Sequence, residues 1–257
     1  MANRFNANYD REKYTTVPED FTFVGPDRSK SETIFKPSIT YWQDAWRRLK
    51  KNKLAMSFLF FLGFGLFIAV FGQFLTKYTY YEQDTAMRFL NPIKGFKSGH
   101  ILGTDSLGRD LFARIAQGIR VSMQLAVIVA SICVIIGTVY GSIAAYFGGY
   151  IDMIMVRFIE VIISIPSMIY IILLMVILGN SIKTIIIALS LTRWLGYALL
   201  VRGEVLKIKE NEYVMASTAL GANFWWIITK HLIPNTLSVI IVKLTMDIPS
   251  IIFSEAF

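Results

Sequence analysis

Residues 54–75 read LAMSFLFFLGFGLFIAVFGQFL, 22 residues without a charge. At 1.5 Å of rise per residue, about 20 apolar residues cross the hydrocarbon core of a bilayer. Leu, Ile, Val and Phe each favour insertion there, and together they outweigh Gln73 near the far end. The stretch therefore predicts a transmembrane helix. Immediately before it, residues 47–53 carry Arg47, Arg48, Lys50, Lys51 and Lys53. Cations abutting an apolar span stay on the cytoplasmic side, so this cluster orients the N-terminus inward. Residues 38–53 (SITYWQDAWRRLKKNK) form a basic amphipathic stretch in which Tyr41, Trp42, Trp46 and Leu49 anchor at the membrane surface. Residues 1–37, with Pro18, Pro26 and Pro37, read as a loosely ordered cytoplasmic tail rather than a cleaved signal peptide.

Composition agrees. Of 257 residues, 54% are hydrophobic and 17% charged, with mean hydropathy +0.52; soluble domains carry roughly 25% charged residues. The net charge of +8 does not point to nucleic acid, because eleven of the 26 Lys and Arg lie in the first 53 residues and five of those form the cluster at 47–53 that abuts the first span. The single cysteine, Cys133, lies in an apolar block and reads as a small buried residue.

Downstream, residues 76–120 form an outer segment. In it, Leu107, Leu111, Ile115 and Ile119 recur every four residues and predict an interfacial helix with Thr104 or Asp105 as its N-cap. A second span runs over 121–146. Its Gly137, Gly141 and Ala145 make a small-residue face that another helix can approach closely. A third, 153–178, is broken by Pro166; a fourth, 182–201, contains Arg193; and the apolar run 236–257 contains Lys243, Asp247 and Pro249. The fold class is all-α, a polytopic helical bundle with five spans. The chain end then falls outside, and Glu255-Ala256-Phe257 without a polar tail reads as a truncated end with a sixth span beyond it.

Residues 202–235 interrupt this pattern. Lys209, Glu210 and Glu212 make a first helix water-tolerant, and Ala216, Ser217 and Ala219 give it a small-residue face. Gly221 suits the left-handed position that closes a helix, and Asn223 caps a second. That second helix runs from Phe224 to Leu232, with Trp225 and Trp226, and Pro234 ends it. Two readings stand: insertion into a groove on a protein partner, or an amphipathic hairpin lying on lipid.

The spacing resembles a known family. Glu212-Tyr213-Val214-Met215-Ala216-Ser217, then Gly221, then His231-Leu232-Ile233-Pro234-Asn235 looks like the EAA coupling loop of bacterial ABC importer permeases, with Ser217 where a second Ala is usual. Gly103-Thr104-Asp105-Ser106-Leu107-Gly108-Arg109-Asp110 is similar to the motif after the first span of C-type permeases in the peptide and nickel branch, and residues 137–149 and Arg202-Gly203 also match. The resemblance implies a type I ABC importer bundle in the bacterial plasma membrane. It implies a second, B-type permease, two cytoplasmic ATPase subunits that carry the ATP and Mg, and an extracytoplasmic binding protein that delivers peptide. It makes Glu212, Tyr213, Ala216, Ser217, Gly221 and Pro234 the coupling loop. Of the cargoes in this branch, oligopeptide is preferred over nickel, because the spans lack a ring of metal-binding side chains.

The chain itself reads as a non-enzyme. It has no phosphate-cradling G-x-x-x-x-G-K-[S/T], its His100 and His231 fall on opposite sides of the membrane, and no nucleophile–base–acid set assembles. No metal site or cofactor is expected in it. Lys243 and Asp247, one turn apart, either pair with each other or line the path; Arg157 and Glu160 suit a local ion pair. Arg193, lone in its span, suits a functional role or a partner on the second permease. Pro166 and Pro249 predict kinks. An ion-driven secondary transporter or channel is the alternative, since embedded charges would suit it, and a structural membrane adaptor is a third reading.

Overall fold

The computed structural model describes residues 41–256. The tail 1–40, the side chains of Tyr41 and Trp42, and Phe257 lie outside the described residues, and the readings made for them stay untested. Contacts divide the chain into two units, 1–57 and 58–257.

In the first unit, α1 (Tyr41–Lys51) is amphipathic. Asp44 and Arg48, four apart, pair at 2.7 Å, and the Lys50 ammonium lies 5.5 Å from the Trp46 ring centre. Asn52 then starts α2 (Lys53–Phe71): its side chain accepts from the amides of Leu54 and Ala55 at 3.1 and 3.2 Å, occupying two of the donors a helix start leaves open.

In the second unit, α2 runs into a short 3₁₀ turn (Gly72–Phe74). The apolar face of α2 is exposed almost throughout, as membrane requires; burial begins only at Ile68, Ala69 and Gly72, where a Cβ on Gly72 would lie 2.6 Å from the Ala116 methyl.

Residues 75–110 fold as an irregular segment containing α3 (Pro92–Lys97). The 103–110 motif is its latch. Thr104 and Leu90 bond reciprocally, the Thr104 amide donating to the Leu90 carbonyl at 3.1 Å and the Leu90 amide to the Thr104 hydroxyl at 3.0 Å. Gly103 and Gly108 sit at φ +83° and +77°, and a side chain on either would collide with the carbonyl of Leu90 or Asp84. Asp105 is ringed by donors: the amides of Leu107 and Arg109 at 2.8 and 3.0 Å, the Arg109 guanidinium at 2.8 Å, and the Arg114 guanidinium. Partial burial pushes its carboxyl upward, but those amides and guanidiniums outweigh burial and hold it well below the usual carboxylate range. The latch is thus at full strength above the ordinary carboxylate pKa and weakens only as pH falls toward the depressed value. Amide exchange is expected to show residues 84–110 equally protected at pH 7 and pH 5. Asp105→Asn should lower that protection by about 1–2 kcal/mol at both; equal protection in the variant would remove Asp105 from this role.

One helix, α4 (Leu111–Phe147), replaces the expected interfacial helix and second span. Nothing between Ile119 and Val121 breaks a helix, so the four-residue apolar repeat runs straight into the span. Its 37 residues reach about 55 Å, more than a bilayer core needs. Its N-cap is Asp110 rather than Thr104 or Asp105: the Asp110 carboxylate accepts from the Ala113 amide at 3.0 Å and from the Thr76 hydroxyl at 3.1 Å, and faces His100 Nδ1 at 3.4 Å.

The third span is a bent pair, α5 (Gly149–Ile163) and α6 (Ser167–Leu178), turning by 75° at Pro166. Among the described residues four further helices are long and apolar enough to cross a membrane, which makes five spans if the bent pair is one. α7 (Ile182–Ile208) extends past residue 201, and Arg202 on it pairs with Asp152 of α5 through contacts of 2.5 and 2.6 Å. Against α4, α7 makes the principal helix–helix contact, at Gly137 and Gly141. The small-residue face is therefore used within the chain. Cys133 is fully buried in the central core with Leu125, Val129, Leu195, Tyr197 and Ile251.

Candidate functional site

The 202–235 region resolves into α8 (Glu212–Ala219), α9 (Phe224–Ile227), a π-helical turn (Ile228–Leu232) and α10 (Ile233–Ala256). Gly221 closes α8 at φ +85°, with its amide on the Thr218 carbonyl and the Ala222 amide on the Ser217 carbonyl, both at 3.0 Å. This is the six-to-one and five-to-two pairing of a Schellman close. Asn223 caps α9 through the Trp226 amide at 2.8 Å.

Pro234 does not end the second helix. It is the second residue of α10, and the helical run continues from Phe224 to Ala256. Proline has no N–H and its ring crowds the carbonyl four residues back; the preceding turn widens to π so that the Ile233 amide reaches the Ile228 carbonyl. Asn235 Nδ2 then donates to the His231 carbonyl at 2.5 Å.

α8 is held from one side and open on the other. Val214 is buried with Val201 and Val205 of α7, Ile227, Leu232, and Ile240 of α10. His231 supports it from below: its Nε2 lies 3.2 Å from the Ser217 hydroxyl, and its ring packs 5.4 Å from Tyr213 and 4.9 Å from Trp226. Lys209 ties the start of this region to the end of α4, donating to the Ala145 carbonyl at 2.8 Å. Glu212, Tyr213, Met215, Ala216 and Leu220 are exposed, Leu220 to 89%. Beside them a cleft of about 800 Å³ is lined by Tyr146, Phe147, Lys209, Val214, Met215 and Ala219. The arrangement presents a short helix with an open small-residue face, rigidly attached to the ends of three spans.

The sequence named Glu212, Ala216, Ser217 and Gly221 but missed the roles of His231 and Lys209, and the Arg202–Asp152 pair. Asp152 and Arg202 are 50 positions apart and share no local pattern.

The embedded charges lie on the facing sides of α7 and α10. Lys243 and Asp247 pair at 2.8 Å, with the Lys243 ammonium 5.7 Å from the Tyr197 ring centre. Arg157 and Glu160 pair at 2.8 Å on an exposed face. Arg193 is not lone. Its guanidinium donates to the Ser250 hydroxyl and carbonyl at 3.1 Å each and to the Ser254 hydroxyl at 2.5 Å. Pro249, unlike Pro166, leaves its helix continuous. Among the described residues no cluster of His, Cys, Asp or Glu suits a metal.

The described residues thus form a helical membrane bundle with an exposed helical hairpin between its last spans. Residues 137–257 match the family described as binding-protein-dependent transport system inner membrane component, and residues 40–92 match the N-terminal TM domain of oligopeptide transport permease C. The chain is 44% identical over 247 residues to the dipeptide transport system permease protein DppC of Bacillus subtilis, covering 96% of this chain and 76% of that protein. It is 40% identical over 242 residues to the oligopeptide transport system permease protein OppC of the same organism (94% and 78%), and 36% identical over 227 residues to that of Escherichia coli (88% and 74%). The chain belongs to the binding-protein-dependent transport permease family. It is a multi-pass membrane subunit of an ABC importer and not an enzyme.

Proposed function

We propose that this chain forms half of a peptide-import pathway and transmits ATP-driven movement to it through α8. The observation that carries this is the burial of Val214 in one cluster with α7 and α10 while Glu212 and Ala216 stay open: a partner that moves α8 must move the spans. A B-type permease supplies the other half. Two cytoplasmic ATPase subunits, holding ATP and Mg, dock on Glu212, Tyr213, Ala216 and Ser217, and Gly221 and Pro234 set the geometry of the hairpin. An extracytoplasmic binding protein delivers the peptide. The relatives named for dipeptide and oligopeptide transport support peptide as cargo, and the cations at 47–53 support a cytoplasmic N-terminus.

The test is reconstitution of the whole transporter in vesicles. Labelled peptide is expected to accumulate only with Mg-ATP on the ATPase side, and to continue when ionophores dissipate ion gradients. Uptake that survives ATP removal and collapses with the gradient would instead favour the ion-driven alternative, for which the relatives give no support.

A further inference from the structure

Arg193 is the twelfth of the 27 residues of α7 (193 − 182 + 1), midway through a membrane-crossing helix. A guanidinium stays charged in a protein, and an embedded one faces a polar interior or a wet cavity. Its holders here are a carbonyl and two hydroxyls, all neutral. They orient the fork without neutralising it. The nearby Lys243 and Asp247 neutralise each other at 2.8 Å, and Glu255 accepts from the Ser122 hydroxyl at 2.5 Å. No carboxylate lies within 4.0 Å of Arg193 among the described residues. Between α7 and α10, Arg193 is therefore a cation without an ion-pair partner of its own among the described residues.

That charge borders a space. A cavity of about 380 Å³ opens at the Pro166 break, lined by Pro166, Ser167, Thr192, Arg193 and Ser254 with Ile and Leu side chains around them. On α10 the residues facing α7 fall at 243, 247, 250 and 254, a four-three-four spacing that makes one polar stripe ending at this cavity. An oriented guanidinium with no ion-pair partner among the described residues, in a cavity lined by neutral hydroxyls and aliphatic side chains, suits a planar anion taken through paired N–H donors.

We propose that Arg193 is a specificity-determining residue on the transport path, forming the subsite that receives the terminal carboxylate of a passing peptide. This rests on the peptide reading above. The carboxylate is the one anion that every linear peptide carries whatever its sequence, so a single fixed cation recognises the class without selecting side chains. Ser250 and Ser254 position the guanidinium, and with no ion-pair partner among the described residues it is available.

The experiment compares uptake of one peptide as free acid and as C-terminal amide by the complete transporter in vesicles. Wild type and Arg193→Gln are assayed with the same binding protein, so that protein's own preference cancels in the ratio of ratios. Wild type is expected to favour the acid, and Arg193→Gln to cut the acid-to-amide ratio by about tenfold or more, the worth of one charge-assisted contact. Arg193→Lys, which keeps the charge, should recover part of it. An acid-to-amide ratio unchanged by Arg193→Gln overturns the proposal. So does loss of the second permease from purified Arg193→Gln complexes, which would mean that a partner acid occupies the guanidinium. Wild type that imports neither peptide would instead sink the peptide reading itself.

Discussion

Glu212→Arg is expected to abolish peptide uptake and to release the ATPase subunits during purification, while the permease pair stays folded. Glu212 is exposed, sits in the first turn of α8, and its side chain makes no hydrogen bond or ion pair among the described residues. The folded chain therefore loses little when it changes. A carboxylate at a helix start is favoured by the helix dipole by about 0.3–1 kcal/mol, which bounds the local cost. The docking cost is larger. Reversing a charge at a desolvated contact removes one attraction and adds a repulsion, about 2–5 kcal/mol, a 30-fold to several-thousand-fold loss of affinity. Glu212→Gln should fall between, since it keeps the shape and loses the charge. Retained ATPases with normal uptake in Glu212→Arg would end the docking reading and return the hairpin to the membrane surface.

The parts of this protein that could be read from its sequence are those whose signal is local. The uncharged run at 54–75, the cations before it, the left-handed Gly221 and the capping Asn223 each declare themselves within a few residues. The break at Pro166 does too. What failed was continuity and long-range pairing. The repeat at Leu107, Leu111, Ile115 and Ile119 suggested an interfacial helix separate from the span beginning at 121, but the two are one helix, because a helix emerging from a membrane turns polar without stopping. Pro234 suggested a stop, because only the π turn before it reveals how its missing N–H and crowded carbonyl are accommodated. Arg193 looked partnerless because Ser250 and Ser254 are neutral and distant in sequence. In the hairpin, the exposed residues were legible through their spacing. The supports beneath them, His231 and Lys209, were not, since their roles exist only once Ser217 and Ala145 are brought to them.

Gly141→Leu is expected to prevent assembly of a functional permease, and Gly141→Ala to weaken it measurably. α4 and α7 meet backbone to backbone here. A Cβ on Gly141 would collide with the Ala198 carbonyl oxygen and stand 2.9 Å from the Arg202 amide; one on Gly137 would stand 2.8 Å from the Trp194 carbonyl. Backbone atoms of a hydrogen-bonded helix cannot rotate away as a side chain can, so the helices must separate. Overpacking a tight core costs about 1–3 kcal/mol even where side chains can adjust, and rigid backbone leaves less room to adjust. Separation would propagate, because both buried clusters use this pair: Val129 and Leu195 in the middle of the bundle, Ala145 and Val201 beside α8. It would also draw Arg202 from Asp152, whose 2.5 and 2.6 Å contacts tolerate little displacement. Gly118 provides the control, since a Cβ there meets nothing within 4 Å on the same helix. Thermal unfolding and complex yield should therefore fall in Gly141→Ala and stay near wild type in Gly118→Ala, where the gain in helix propensity is about 1 kcal/mol at most. If the two variants behave alike, the close approach of α4 and α7 is not what holds α8 to the pathway, and the rigid lever between ATPase and membrane must run instead through α10.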